Sequence, residues 1–177
     1  MIRLHKHVQR GTFHTNYCED FVIAQPIGTT RWLLAVMDGC TMGTESHFAA
    51  TLKGKILRKL AKKRYYLSFM QQTESLLPEL LDQVIKALFL ELRFLQQQLH
   101  LDKYELLSTL VMGILDVGTR QFSARVIGDG LLQVNGHFQD ATFLTGENYW
   151  TKKLYHLSTV YGLEPTDDLG LVRVVLP

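Results

Sequence analysis

Carboxylate side chains recur in this sequence where an apolar run ends or begins. They are Glu19, Asp20, Asp38, Asp129, Asp167 and Asp168. Asp38 is the sharpest case, because the apolar run at residues 32–37 stops directly at Asp38 and Gly39. A carboxylate that closes a buried strand is costly unless a hydrogen bond or a cation compensates it. The chemistry of this sequence therefore depends on what Asp38 holds.

A cluster of such carboxylates would repel one another unless cations lay among them. Without a supporting set of His or Cys side chains, hard oxygen ligands favour Mg²⁺ or Mn²⁺ over Zn²⁺. Two such ions about 3.5–4 Å apart can lower the pKa of a bridging water and clamp a phosphate. Carboxylates in this arrangement thus favour a metal-assisted reaction at the ends of the strands.

Each carboxylate also has a purely structural interpretation. Asp38 can cap the helix that follows or form a turn with Gly39, and taken alone this is the commoner role for Asp. The other carboxylates can be solvated charges in loops and turns. It is their joint arrangement, in three separate regions of the sequence, that favours a metal site.

The elements that must position these residues begin with two strands. Apolar runs at residues 20–24 and 31–37 predict strands, and the turn-forming segment between them predicts a hairpin. The two open ends of a hairpin lie at the same edge. The pattern therefore predicts that Glu19 and Asp20 lie near Asp38.

The middle of the sequence predicts helices and the remainder predicts strands. Apolar residues at helical spacing within residues 44–101 predict two helices, with a polar link near residues 68–77 and Pro78 in the first turn of the second helix. Asn135-Gly136 is a strong hairpin signal. The predicted later strands fall within residues 108–117, 121–130, 131–139 and 169–176. Strands, a helical pair and further strands indicate an α+β fold with an antiparallel core.

Composition limits the classes of function. A chain of 177 residues suits a single domain over residues 1–177, and its hydrophobic content of 46% is typical of a globular protein. The net charge of +2 is too small to indicate a nucleic-acid partner. No signal peptide and no membrane span of about 20 apolar residues is visible, so no membrane partner is expected. With two cysteines, a reducing cytoplasm is the expected location.

The order of these motifs resembles the protein phosphatase 2C family of metal-dependent serine/threonine phosphatases, in its bacterial form. The resemblance lies in "ED" opening one strand, "VMDG" closing the next, a helical pair, then "STLVMGIL", "ARVIGDG" and "DDLGLVRVVL". It covers the chain from about Gly11 to its C-terminus. It implies an antiparallel β-sandwich flanked by helical pairs, and hydrolysis of phosphoserine or phosphothreonine in a protein substrate by metal-activated water.

The resemblance also implies a role for the first carboxylates. Asp38 would bridge two Mg²⁺ or Mn²⁺ ions. The backbone carbonyl of Gly39 and the side chain of Glu19 would hold one of these ions, and Asp20 would orient a metal-bound water. On this interpretation Asp38 ends a core strand because two cations neutralise it.

The remaining carboxylates take further roles by the same resemblance. Asp167 would hold the other ion, and Asp168 stands beside it where the family often has Asn. Asp129 would be structural or would help to bind a third ion. The predicted metal site therefore draws on both ends of the sequence.

Three positions depart from the family's pattern. The Arg that usually lies four residues before the Glu and grips the phosphate is Thr15 here, with His14 beside it, and Thr cannot replace the two charge-assisted bonds of an Arg fork. The His that often follows Asp-Gly is Cys40. Between His156 and Asp167 the sequence is "LSTVYGLEPT", which lacks the further Asp-Gly motif of the family.

The chain is also shorter than a typical catalytic domain of the family, as if an internal segment were missing. Either the segment was lost in evolution or it is absent from this sequence, and the retained Asp pair of the final strand favours the second. An active phosphatase and a catalytically weak or inactive phosphatase-like binding module both stay open. An unrelated α+β interaction domain is a third alternative, because folds do not fix functions.

Overall fold

The computed structural model describes residues 2–40, 45–70, 75–134, 137–139 and 168–176. The elements in these ranges are β1 (Arg3–Gln9), β2 (Phe21–Pro26), β3 (Arg31–Met37), α1 (Ser46–Ser68), α2 (Leu77–Leu99), a short 3₁₀ helix (Tyr104–Leu106), β4 (Leu110–Asp116), β5 (Gln121–Ile127), β6 (Leu132–Val134), β7 (His137–Gln139) and β8 (Leu169–Val175). No helix in these ranges has the length and apolar character needed to cross a membrane.

A four-stranded antiparallel sheet in the order β2-β3-β4-β5 forms the centre of the fold. Helix α1 packs over β2 and β3, and α2 packs over β4 and β5 on the same face. The antiparallel pair β1–β8 packs against β2 and β3 from the other side. The predicted α+β class with antiparallel sheets is confirmed, and one helical pair lies in the described part of the chain.

The apolar core lies between the central sheet and the helical pair. Its largest fully buried side chains are Ile23, Leu33, Met37, Leu57, Leu81, Val84, Leu88, Leu110, Met112 and Ile114. Full burial of one such side chain contributes roughly 1.5–3 kcal/mol to folding. Gly54 lets α1 lie directly on β2, because a Cβ atom at this position would collide with the ring of Phe21. The core thereby fixes α1 against the strands whose ends carry the carboxylates.

Most of the predicted elements are confirmed, with shifted ends. The hairpin of β2 and β3 and the two helices are present, and Pro78 lies in the first turn of α2. The hairpin β6–β7 is present, although Asn135 and Gly136 at its turn lie outside the described residues. Residues 108 and 109, predicted as strand, lie just before β4.

Among the described strands, β1 is the one that the sequence pattern did not predict. Its side chains are mostly exposed, so it lacks the apolar alternation that marks a strand with one buried face. It is a strand because it pairs along its whole length with β8, from Arg3 opposite Val175 to Gln9 opposite Leu169. A partner so distant in sequence leaves no local signal.

A buried ion pair links β3 to β4 at the end of the sheet where β3 begins and β4 ends. Arg31 Nε donates to Asp116 Oδ2 at 3.0 Å, and Asp116 Oδ1 accepts from the backbone N–H of Gly118 at 2.9 Å. Burial opposes ionisation of Asp116, but hydrogen bonds from Arg31, Thr30 and the backbone of Thr119 and Gly118 outweigh it and hold the pKa of this carboxyl below its ordinary value. The charge is therefore paired and satisfied.

Replacing Asp116 with Asn should remove a pH-dependent part of the stability. Because the pKa of Asp116 is lower in the folded chain than in the unfolded chain, its contribution is fully present above its unfolded pKa of about 3.9 and is lost as the pH falls through the folded pKa. We expect Asp116→Asn to lower the free energy of unfolding at pH 7 by about 2–3 kcal/mol and to flatten its decline below about pH 4. Urea unfolding between pH 2.5 and 7 measures both effects.

The matched control is Asp82→Asn, which breaks the exposed pair between Asp82 and Arg125. Exposed pairs contribute about 0–1 kcal/mol, so this variant should stay close to the parent protein. Equal losses in the two variants would contradict a special role for the buried pair.

Candidate functional site

The open end of the β2–β3 hairpin brings two pairs of predicted site residues together. The register of the two strands continues past their ends, because Gly39 N donates to Glu19 O at 3.2 Å. Asp20 then stands opposite Asp38 along the backbone. The structure thus places Glu19, Asp20, Asp38 and Gly39 at one end of the central sheet.

Glu19 and Asp20 are buried despite their charge, with exposed fractions of 7% and 9%. Glu19 Oε1 accepts a hydrogen bond from Ser46 Oγ at the start of α1 and lies 2.8 Å from His14 Nδ1. Asp20 lies under β8, where a Cβ atom on Gly170 would come within 2.8 Å of Asp20 Oδ2. A glycine in β8 therefore leaves the space that the Asp20 carboxylate occupies.

The backbone of Asp38 and Gly39 is held from the β4 side as well. Thr109 N donates to Asp38 O at 2.9 Å, and Asp38 N donates to Thr109 Oγ1 at 3.1 Å. Gly39 forms an antiparallel bridge with Ser108. A Cβ atom at Gly39 would collide with the carbonyl oxygen of Ser46, so α1 approaches this turn as closely as a glycine permits.

Asp168 joins the last strand to the first motif. Its Oδ1 accepts from Gly11 N at 2.6 Å, and its Oδ2 accepts from Glu19 N. The carboxylate therefore ties the start of β8 to the loop between β1 and β2.

Cys18 lies next to this junction, and its thiol stays protonated at neutral pH. Burial raises the pKa of Cys18 to about 12, and the carboxylates of Asp168 and Asp20 act in the same direction. Since the thiolate is the reactive form of cysteine, this environment favours a structural thiol over a redox-active one.

Asp129 and Asp167 stand apart from the residues above. Asp129 is exposed and follows Gly128, whose backbone has a φ of 77° and where an added Cβ atom would come within 3.2 Å of Thr109 Cγ2. Because β4 and β5 are antiparallel, the turn of Asp129 lies at the same end of the sheet as Asp38. Asp167 lies outside the described residues.

Within the described ranges, no three Asp, Glu, His or Cys side chains are grouped so that they could hold a metal ion together. Glu19 is bonded to Ser46 and His14, and Asp168 is bonded to backbone N–H groups. The backbone thus places Glu19, Asp20, Asp38 and Gly39 at one end of the sheet, but the described side chains do not form a common ligand group. Their assignment as metal ligands stays a prediction.

Several polar partners of this site were not singled out by the sequence pattern. Ser46 precedes a helical run, Ser108 and Thr109 lie in an apparent strand, and His14 stands next to the position of the missing Arg. Ser46 at a helix start was the one available signal, because Ser commonly begins helices. The others depend on contacts between distant segments.

Comparison with known proteins decides the family. The family model for protein phosphatase 2C matches residues 5–149. The chain belongs to the protein phosphatase 2C family. The match includes the Glu-Asp and Asp-Gly motifs and ends before β8, so Asp168 lies beyond it.

Two solved structures are similar to this member of the protein phosphatase 2C family. The phosphatase domain of the cell fate determinant SpoIIE from Bacillus subtilis is 15% identical, with 97% of this chain and 61% of that chain covered and a TM-score of 0.41. Serine/threonine phosphatase Stp1 from Staphylococcus aureus is 14% identical, with coverage of 98% and 71% and a TM-score of 0.44. The chain thus spans less than two thirds of the SpoIIE domain. Comparison with curated proteins finds no match.

In this protein phosphatase 2C member, removing the carboxylate of Asp168 should weaken the fold. Asp168→Ala leaves the N–H groups of Gly11 and Glu19 without their acceptor, which should lower the free energy of unfolding by about 2–3 kcal/mol. Asp168→Asn should cost less, because its amide oxygen still accepts one bond. Chemical denaturation without added metal measures both changes. Asp129→Ala, at an exposed turn, is the control and should stay within about 0.5 kcal/mol of the parent. If Asp168→Ala is as stable as the parent, the bonds from Gly11 and Glu19 to Asp168 do not stabilise the fold.

Proposed function

We propose that this chain is a metal-dependent phosphatase that hydrolyses phosphoserine or phosphothreonine in protein substrates. Membership of the protein phosphatase 2C family supports phosphatase chemistry. The observation that carries the finer proposal is the burial of Glu19 and Asp20 at the strand end that also carries Asp38. Ser46 and His14 both meet Glu19 at Oε1. Divalent cations are a further source of compensation for buried carboxylates, because their preferred donors are oxygens.

The donor set fits Mg²⁺ or Mn²⁺ in its chemistry. It consists of carboxylate oxygens and the Gly39 carbonyl oxygen, which are hard donors. The proposed ligands of two ions, with a third loosely held, are Glu19, Asp38, Gly39, Asp129, Asp167 and Asp168. When bound, the ions would supply a water of lowered pKa and a positive clamp on the phosphate.

The chain's own residues contribute by holding the reacting groups in place. In the proposal Asp38 would be a ligand of both ions, and Asp20 would orient the attacking water. His14 and Ser46 restrain the Glu19 carboxylate, and Thr109 restrains the Asp38 backbone. Groups that are fixed before the substrate arrives need not reorganise in the transition state. This preorganisation lowers the activation free energy of the reaction.

The substrate phosphate needs a cation at the place where the resembled family has Arg and this chain has Thr15. Arg10 places a guanidinium group next to Thr15, because its Nη1 donates to Thr15 O at 2.6 Å. The side chain of Arg10 is exposed, so a substrate can reach it. We therefore include Arg10 in the proposal as the group that meets the phosphate. A guanidinium keeps further N–H donors for the phosphate oxygens after donating to Thr15.

A catalytically weak binding or regulatory module is the second candidate. Two observations favour it: the side chains of Glu19 and Asp168 are bonded within the protein, and the segment before Asp167 lacks the Asp-Gly motif of the family. Such a module would bind the metal or phosphoprotein with little turnover. The following experiment separates it from an active enzyme.

The first test combines metal removal with a change at Asp38. Mn²⁺ should raise the melting temperature of the parent protein, because a ligand at 100 times its Kd stabilises by about 2.7 kcal/mol. Turnover of p-nitrophenyl phosphate and of a phosphothreonine peptide should disappear on chelation. In Asp38→Asn, Mn²⁺ should no longer stabilise the protein and activity should fall by about 100-fold or more, since a neutral amide bridges cations poorly. The protein without metal should be as stable as the parent or more so, because a carboxylate cluster has lost a charge.

Asp82→Asn on α2 is the control and should behave as the parent does. Retention of Mn²⁺ stabilisation by Asp38→Asn would rule out Asp38 as the bridging ligand. Turnover that survives chelation would rule out metal dependence, whereas Mn²⁺ binding without turnover would favour the regulatory module.

The second test concerns Arg10. Arg10→Ala should raise KM for the phosphothreonine peptide by about tenfold, because the loss of a charge-assisted bond to phosphate costs about 1.5 kcal/mol. The melting temperature shift on adding Mn²⁺ should not change. Arg3→Ala on β1 is the matched control for loss of one positive charge. If KM responds equally to both changes, Arg10 does not bind the phosphate.

A further inference from the structure

Lys53 is a buried lysine for which the proposed chemistry has no use. It lies on the inward face of α1 with an exposed fraction of 6%. Its Nζ donates to Ser108 O at 3.0 Å and to Ser108 Oγ at 2.6 Å. Burial lowers its pKa to about 8, which reports how strongly this environment opposes the ammonium charge.

The ammonium group of Lys53 is compensated by oxygen atoms of a single residue. In the described part of the chain, no Asp or Glu forms an ion pair with it. An apolar side chain of similar length would fill the same space without the cost of burying a charge. Any advantage of a lysine over an apolar residue at this position must therefore come from its hydrogen bonds to Ser108.

Ser108 is the residue that pairs with Gly39, and its neighbour Thr109 exchanges two hydrogen bonds with Asp38. Lys53 is therefore connected to the turn of Asp38 and Gly39 indirectly, from the β4 side, through Ser108. On the β2 side, Ser46 of the same helix donates to Glu19. The spacing of Ser46 and Lys53 corresponds to two helical turns, so both face the strand ends.

We propose that Lys53 is a positioning residue that holds the Asp38–Gly39 turn in the geometry needed to bind the divalent metal. Helix α1 thereby contacts the strand ends on both sides of this turn, with Ser46 on one side and Lys53 on the other. The inference rests on the proposed function, because Asp38 and Gly39 are metal ligands only if the chain binds Mg²⁺ or Mn²⁺.

The test compares Mn²⁺ affinity with stability in the absence of metal. Lys53→Met keeps the length of the side chain and removes both the charge and the bonds to Ser108. We expect stability without metal to be equal to or greater than that of the parent, since a buried charge is gone. The Kd for Mn²⁺, measured by calorimetry and by the shift in melting temperature, should rise tenfold or more. A purely structural lysine would lower stability and leave the Kd unchanged.

Lys59→Met is the matched control, because Lys59 lies on the same helix and is exposed. Its Kd for Mn²⁺ should equal that of the parent. Ser108→Ala removes the Oγ acceptor of Lys53, keeps the bond to the carbonyl of residue 108 and leaves α1 unaltered, so it should raise the Kd several-fold. It decides the question if Lys53→Met does not fold. A Kd unchanged in Lys53→Met, or in Ser108→Ala where the first variant does not fold, overturns the inference. A parent protein that does not respond to Mn²⁺ overturns the proposed function itself.

Discussion

The hydrogen bond from Gly39 N to Glu19 O continues the β2–β3 register to the point where the proposed ligands lie. This register is itself imposed by burial, because Ile23, Leu33 and Met37 face the helical pair with almost no exposure. A slip of one residue would turn these side chains outward and would separate Glu19 from Gly39. The geometry of the site is therefore a consequence of the packing of the core.

Much of this arrangement could be predicted from local pattern, and the remainder depends on contacts between distant segments. The hairpin and its clustered carboxylates follow from two apolar runs, one that begins directly after Glu19 and Asp20 and one that ends directly before Asp38. The bonding of Asp168 to Glu19 could not be predicted, because it requires the last strand to lie beside the first loop. In the sequence Lys53 is one of several Lys and Arg residues within α1. Its burial and its bonds to Ser108 separate it from exposed residues such as Lys59.

Buried charge is distributed unevenly between the two ends of the central sheet. At one end Asp116 pairs with Arg31 and accepts further bonds from the following turn, which is an arrangement that stabilises a fold. At the other end Glu19, Asp20 and Lys53 are buried close to the turn of Asp38 and Gly39. Sites that bind or react commonly retain such costly groups at the expense of stability. The two ends of the sheet therefore differ in how their buried charges are compensated.

The pairing of β1 with β8 has a consequence for how the chain acquires its structure. Synthesis delivers β1 first and β8 last among the described strands, so β1 must wait for a partner until the central sheet and both helices have been made. During that interval the side of β2 and β3 that β8 covers is open to solvent, including the surface around Val22 and Val36 against which Gly170 packs. Long-range strand pairing of this kind is slow and leaves apolar surface exposed to association. Closure by β8 would then be the step that both shields Asp20 and ends the period of greatest risk of aggregation.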